Sequence, residues 1–161
     1  MGTDLPNRKR IRLKDYDYSQ PGYYFITICT ESRRMLLWSA KEITDNIIPL
    51  TEIGKSVEKA LKNIGTIYPE ICLDEYVIMP NHVHFILFIE SSKDSGRPMV
   101  ASTIFRIVQQ LKGYVTKKYG QGSLWQKSYY EHIIRNEKDL QEKRNYILNN
   151  PLKWNEDEYF T

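Results

Sequence analysis

A chain of 161 residues with 41% hydrophobic and 27% charged side chains can bury one compact domain, and this balance argues against a disordered chain. Its 23 basic residues exceed its 20 acidic ones by only three, so charge alone names no function. No apolar run approaches the ~20 residues that span a bilayer, and membrane insertion is excluded.

The first twenty residues form a polar, basic arm carrying Arg8, Lys9, Arg10, Arg12 and Lys14. Further basic pairs follow at Arg33-Arg34 and Lys117-Lys118. Local runs of this kind pair with phosphates even in a mildly basic protein, although each is also an ordinary solvated surface. After the Pro21-Gly22 turn signal, Tyr23 to Thr30 is dense in aromatic and β-branched residues and predicts a first strand. Ile53, Val57, Ala60, Leu61 and Ile64 recur at helical spacing, predicting a helix from Leu50 to about Ile64 with Thr51 as N-cap and Gly65 as stop. Ile71–Ile78 and His82–Ile89 read as an antiparallel hairpin about Met79-Pro80-Asn81, expected in the middle of the sheet.

Residues 91–97 are a polar loop. Ile104, Ile107, Val108, Leu111 and Val115 mark a second helix ending before Gly120, with Arg106, Gln109, Gln110, Lys112 and Lys117 on its polar side. Leu124-Trp125 and His132-Ile133-Ile134 are short strand-like pieces. A third helix begins at the N-cap Asn136 and stops near Asn150, because Pro151 disfavours helical geometry in the residue before it. Residues 152–161 are read as a short tail to a single domain covering 1–161. The order of elements predicts an α+β fold, an antiparallel sheet with helices on one face, of the split βαβ type. Cys29 and Cys72 lie in apolar runs without CxxC spacing or a secretory signal, and are expected to be buried thiols in a cytoplasmic protein.

Chemistry concentrates in two segments. In Pro80-Asn81-His82-Val83-His84, residues two apart on a strand share a face, so the imidazoles project together as half of a metal site. In Tyr146-Ile147-Leu148-Asn149-Asn150-Pro151, Tyr146 and Asn150 share a helical face and can present a phenol and an amide together. Taken singly, each is also explained by ordinary structure: a hydrogen-bonded histidine pair, a packed tyrosine, a helix-capping asparagine. Twelve tyrosines and three tryptophans among cations suit the stacking of unpaired bases.

Together the two segments resemble the transposases of the HUH single-strand nuclease superfamily. The stretch Leu124 to Leu140, with its Trp-Gln, Glu-His and Ile-Arg-Asn, followed by Tyr-Ile-x-x-Asn-Pro, is similar to the REP-associated tyrosine transposases in particular. The resemblance runs from about Gly22 to Trp154. It implies a ferredoxin-like HUH nuclease fold, a divalent cation (Mg²⁺ or Mn²⁺) held by His82, His84 and Asn150, and Tyr146 as nucleophile. Related transposases commonly have Gln where this chain has the shorter Asn150. The implied activity is cutting and rejoining of single-stranded or hairpin DNA through a 5′-phosphotyrosine. Arg8, Lys9, Arg10, Arg33, Arg34, Lys112 and Lys127 are expected to contact DNA phosphates, and His132 to be a structural hydrogen-bonding residue. Relatives include homodimers and monomers.

Two other readings remain open at this level. A split βαβ sheet with exposed aromatics also suits a non-catalytic module that binds single-stranded DNA or RNA. A metal hydrolase activating water on the histidine pair would want a carboxylate ligand, and none is adjacent to His82 or His84 in sequence.

Overall fold

A computed structural model describes residues 21–41, 43–90, 100–120, 122–157 and 159. The basic arm and the polar loop at 91–97 lie outside the described residues. Four strands, Gly22–Cys29 (β1), Ile71–Ile78 (β2), His82–Ile89 (β3) and Tyr130–Ile134 (β4), form one antiparallel sheet in the order β2-β3-β1-β4. β1 and β2 both run antiparallel to β3, which is inserted between them, and this is the split βαβ arrangement. Only β3 of the expected hairpin is central; β2 is an edge strand. The reason is that β1 claims the second side of β3 over eight paired positions.

The helices are Glu52–Lys62 (α1), Ile64–Ile67 (α2), Val100–Tyr119 (α3) and Glu137–Asn149 (α4). Thr51 caps α1 by accepting the Gly54 amide, and Asn136 caps α4 by accepting the Asp139 amide. Gly65 does not stop the first helical segment, because α2 continues through it after a break at Asn63.

Alternation along β3 sorts its side chains. Phe85 is paired with Tyr76, whose hydroxyl donates to Glu58 of α1, so α1 covers the Val83–Phe85 face, and α3 packs beside it. That face is the main core: Tyr24, Ile26, Ile28, Val83, Phe85 and Leu87 are all fully buried there, each contributing about 1.5–3 kcal/mol. Helices on one face describes α1 and α3 only. α4 lies across the other face, where the Tyr146 and His84 rings meet edge-on at 5.2 Å. Arg144 fixes α4 there with two hydrogen bonds to Asp74 of β2, at 2.9 and 2.7 Å.

The expected burial of both cysteines holds poorly: Cys29 is half-buried and Cys72, on the edge strand, is exposed. Among the described residues no helix is long and apolar enough to cross a membrane.

The loop after β1 is stitched to the turn at 79–81. The Leu37 amide donates to the Pro80 carbonyl at 3.0 Å, and the Thr51 amide to the Leu37 carbonyl at 2.9 Å. Gly54 passes so close to that carbonyl that a Cβ would collide with Leu37 O. Gly54→Ala is therefore expected to destabilise the protein by about 1–3 kcal/mol, reversing the ~1 kcal/mol gain of helix propensity. Urea unfolding of the two proteins measures the difference, and a more stable variant would refute the close approach.

Candidate active site

β3 places His82 and His84 on the face toward α4, opposite Cys29 and Thr27 of β1. Both are buried, at 0% and 2% exposure. Each uses Nδ1 for a hydrogen bond: His82 with Asn81 Oδ1 at 2.8 Å, His84 with Thr27 Oγ1 at 2.7 Å. The Asn81 amide has a determined orientation, since its Nδ2 donates to the Tyr159 carbonyl at 2.8 Å and faces the Arg33 carbonyl at 3.4 Å. Its oxygen therefore faces His82, and His82 must carry its proton on Nδ1. The lone pair is left on Nε2. The Nε2 atoms of both histidines are buried without a hydrogen-bond partner.

Burial pushes the His82 pKa well below its ordinary value, with His84 and Arg33 adding to the effect, and burial lowers that of His84 to about 3. Neutral imidazoles with outward lone pairs are the form that binds a cation.

α4 brings two more groups. Tyr146 is 40% exposed and borders a cleft of 590 Å³ with Phe25, Thr27, His84, Glu142, Lys143 and Tyr159. It also borders a second hollow of 450 Å³ together with Asn150 and Asp157. Asn150 follows α4 as its C-cap, 4% exposed, with neither amide atom hydrogen-bonded. Although it precedes Pro151 it keeps helical angles (φ −58°, ψ −46°), and the chain runs on into a 3₁₀ helix, Pro151–Glu156. The α-helix stops at Asn149 as expected, and the chain goes on in a tighter helical turn. Proline tolerates this because it occupies the first position of the new turn.

The short tail read at 152–161 is described at 152–157 and 159, and these residues roof the site. Trp154 is 5% exposed, with its ring 5.9 Å from His82 and 6.5 Å from Trp38. Tyr159 lies over His82 at 4.3 Å between ring centroids, and the Arg33 guanidinium sits 5.5 Å from the Tyr159 ring. Arg33 reaches that position through a turn in which Ser32 and Arg33 both have positive φ (55° and 52°). Asp157, whose side chain is 2% exposed, brings Oδ2 to 3.7 Å from His82 Nε2. The carboxylate missing beside the histidines in sequence is therefore supplied from 75 positions away. Two aromatics near the chain end were the available sign that this segment packs.

The expected DNA contacts are placed unequally. Arg8, Lys9 and Arg10 lie outside the described residues. Arg33, Arg34 and Lys127 are exposed, although Arg34 also donates to the Ser123 carbonyl at 2.7 Å. Lys112 differs from the expectation: it is 7% exposed, and its ammonium donates to the carbonyls of Gln126 at 2.8 Å and Ser128 at 3.3 Å. Its charge is used to hold the segment leading to β4. His132 bonds Asp139 at 2.7 Å.

With this geometry in place, the comparisons assign a class. Residues 19–150 match the family described as "Transposase IS200 like". This chain belongs to that family of DNA-transposing enzymes. It is 31% identical to the REP-associated tyrosine transposase of Escherichia coli K12 over 136 residues, covering 84% of this chain and 70% of that one. An uncharacterized protein of Haemophilus influenzae is 36% identical over 173 aligned positions, covering 97% and 94% of the two chains. The fold matches a solved REP-associated tyrosine transposase bound to a REP hairpin, with a TM-score of 0.63 at 24% identity, covering 89% of this chain and 73% of that one. REP-associated tyrosine transposases are thus its relatives in both sequence and fold.

Burial of the histidines has a measurable consequence. An unfolded histidine takes up a proton near pH 6.5, whereas folded His84 does so only near 3, so the unfolded state binds more protons in between. Stability therefore falls as pH drops through that window, by about 2–3 kcal/mol for His84 at about pH 4.5. Melting of the metal-free protein at pH 7 and at about pH 4.5 should show a larger loss for the wild type than for His84→Gln. Equal losses would mean that His84 is not held neutral.

Proposed function

We propose that this transposase cuts single-stranded DNA with Tyr146 as nucleophile and a divalent cation, Mg²⁺ or Mn²⁺, held by His82, His84 and Asn150. The observation that carries this reading is a group of buried polar atoms without hydrogen-bond partners at this site: Nε2 of both histidines and the Asn150 amide. Each such atom costs roughly 1–3 kcal/mol unless something binds it. Nitrogen and oxygen donors of this mixture fit a small divalent ion.

When bound, the cation would supply positive charge beside a phosphate and favour the phenolate form of a nearby tyrosine. The chain's own residues do the rest. Phe25 and His84, stacked on each other at 5.2 Å, both meet the Tyr146 ring edge-on, at 6.1 and 5.2 Å, and 40% of the tyrosine remains exposed beside the cleft. Attack of the phenol oxygen on phosphorus forms the tyrosine–phosphate bond and breaks the bond to the 3′ oxygen, which takes up a proton. One phosphodiester replaces another, so no nucleotide cofactor is needed, and the freed 3′-hydroxyl can reverse the step on another strand. Lys143, in the same cleft, adds a cation near the path of the backbone. Arg33, Arg34 and Lys127, with Arg8, Lys9 and Arg10 of the arm, are the proposed phosphate contacts. Because the solved neighbour is bound to a REP hairpin, we take hairpin-forming DNA as the substrate class.

Asp157 gives the metal-hydrolase alternative the carboxylate that sequence adjacency denied it. One assay separates the readings. Wild-type protein, labelled hairpin DNA with a single-stranded flank, and Mn²⁺ should yield a denaturation-resistant protein–DNA adduct. Tyr146→Phe should lose the adduct at least 10³-fold while DNA binding stays within about threefold. His82→Ala should lose cation-dependent cutting. Cutting that persists in Tyr146→Phe would transfer the reaction to water, and binding without cutting by the wild type would leave a binding module.

A further inference from the structure

Asp157 sets a buried carboxylate oxygen against a buried imidazole nitrogen of His82. Asn81 holds the His82 proton on Nδ1, so Nε2 presents a lone pair. Across from it, at 3.7 Å, is a carboxylate oxygen, also a lone-pair donor. The gap exceeds hydrogen-bond length, and two acceptors facing each other in a buried place repel. His84, in the tautomer whose Nδ1–H donates to Thr27 Oγ1, contributes a third: ligand atoms of His82, His84 and Asp157 lie within 4.8 Å of one another. Three electron-pair donors converging on one point are the arrangement that a cation matches. Around an ion with bonds of 2.0–2.1 Å, neighbouring ligands lie about 3 Å apart and opposite ones about 4 Å. The His82–Asp157 pair, at 3.7 Å, falls within that range, and all three groups lie within 4.8 Å of one another.

Resting on the metal-site reading above, we infer that Asp157 is a further protein ligand of the cation, so that loading the cation fastens residues 151–159 onto the sheet. The segment is already positioned for this. The Tyr159 amide donates to Asp157 Oδ1 at 2.8 Å, and its carbonyl accepts from Asn81, the same residue that orients His82. The roof and the first histidine thus share one asparagine. Four protein ligands would leave a six-coordinate ion two positions for phosphate and water.

The test uses the full chain and Mn²⁺, with free ion followed by electron paramagnetic resonance and backbone amide exchange followed by mass spectrometry. Mn²⁺ should slow exchange in 151–159 of the wild type, and no slowing there would overturn the inference without any variant. Asp157→Asn keeps an oxygen for the Tyr159 amide but loses the charge, and should bind Mn²⁺ at least tenfold more weakly, with no slowing of exchange. Asp157→Glu should recover binding to within about threefold, which a merely structural role would not produce. Unchanged affinity in Asp157→Asn, with His84→Ala weakened, would discard Asp157 and keep the imidazole site. Unchanged affinity in His84→Ala as well would remove the metal site itself, and both readings with it.

Discussion

The orientation of one side-chain amide governs the site. Asn81 closes the β2–β3 turn with both ends of its amide committed: nitrogen toward the Tyr159 and Arg33 carbonyls, oxygen toward His82 Nδ1. Reversing it would set acceptor against acceptor at the carbonyls and donor against donor at the imidazole. A single buried residue thereby selects the histidine tautomer, anchors the roof and ties down the loop after β1. Thr27 supports His84 from the neighbouring strand with less stringency, because a hydroxyl can donate or accept. The central strand supplies the rigidity that both arrangements need, since β3 is paired along both edges.

The sheet keeps two faces for two purposes. Toward α1 and α3 it is filled with aliphatic and aromatic side chains, and there the fold gains its stability. Toward α4 lie the Nε2 atoms of two buried imidazoles and the Asn150 amide at the end of that helix, all without hydrogen-bond partners, which subtract from stability and are tolerable only because the first face is well packed. α4 is held near its middle by Arg144 on Asp74, and Tyr146 and Asn150 are presented on the turns that follow. A charge-assisted anchor outside the metal-binding groups allows the helix to be positioned without using them. Lys112 follows a similar logic, its ammonium holding the carbonyls of Gln126 and Ser128.

The amino-acid sequence by itself determined the elements and the local chemistry. Alternation put His82 and His84 on one face of a strand, the period of a helix put Tyr146 and Asn150 on one side of α4, and Thr51 and Asn136 marked two helix starts that depend on neighbouring residues alone. Wherever the outcome depended on distant segments, only the tertiary structure decided it. β1 competed for the side of β3 and left β2 at the edge; Lys112 turned inward because two carbonyls lay within reach of its ammonium; Cys72 stayed exposed because its strand is an edge. The clearest case is Asp157. Nothing near it in the chain marks it as anything but a residue in a tail, and its meaning comes from the 3₁₀ turn after Pro151, which brings Asp157 and Tyr159 back over His82. Local patterns report the bonds of a residue to its neighbours, whereas a metal site is a convergence of lone pairs from segments that meet only when the chain has closed.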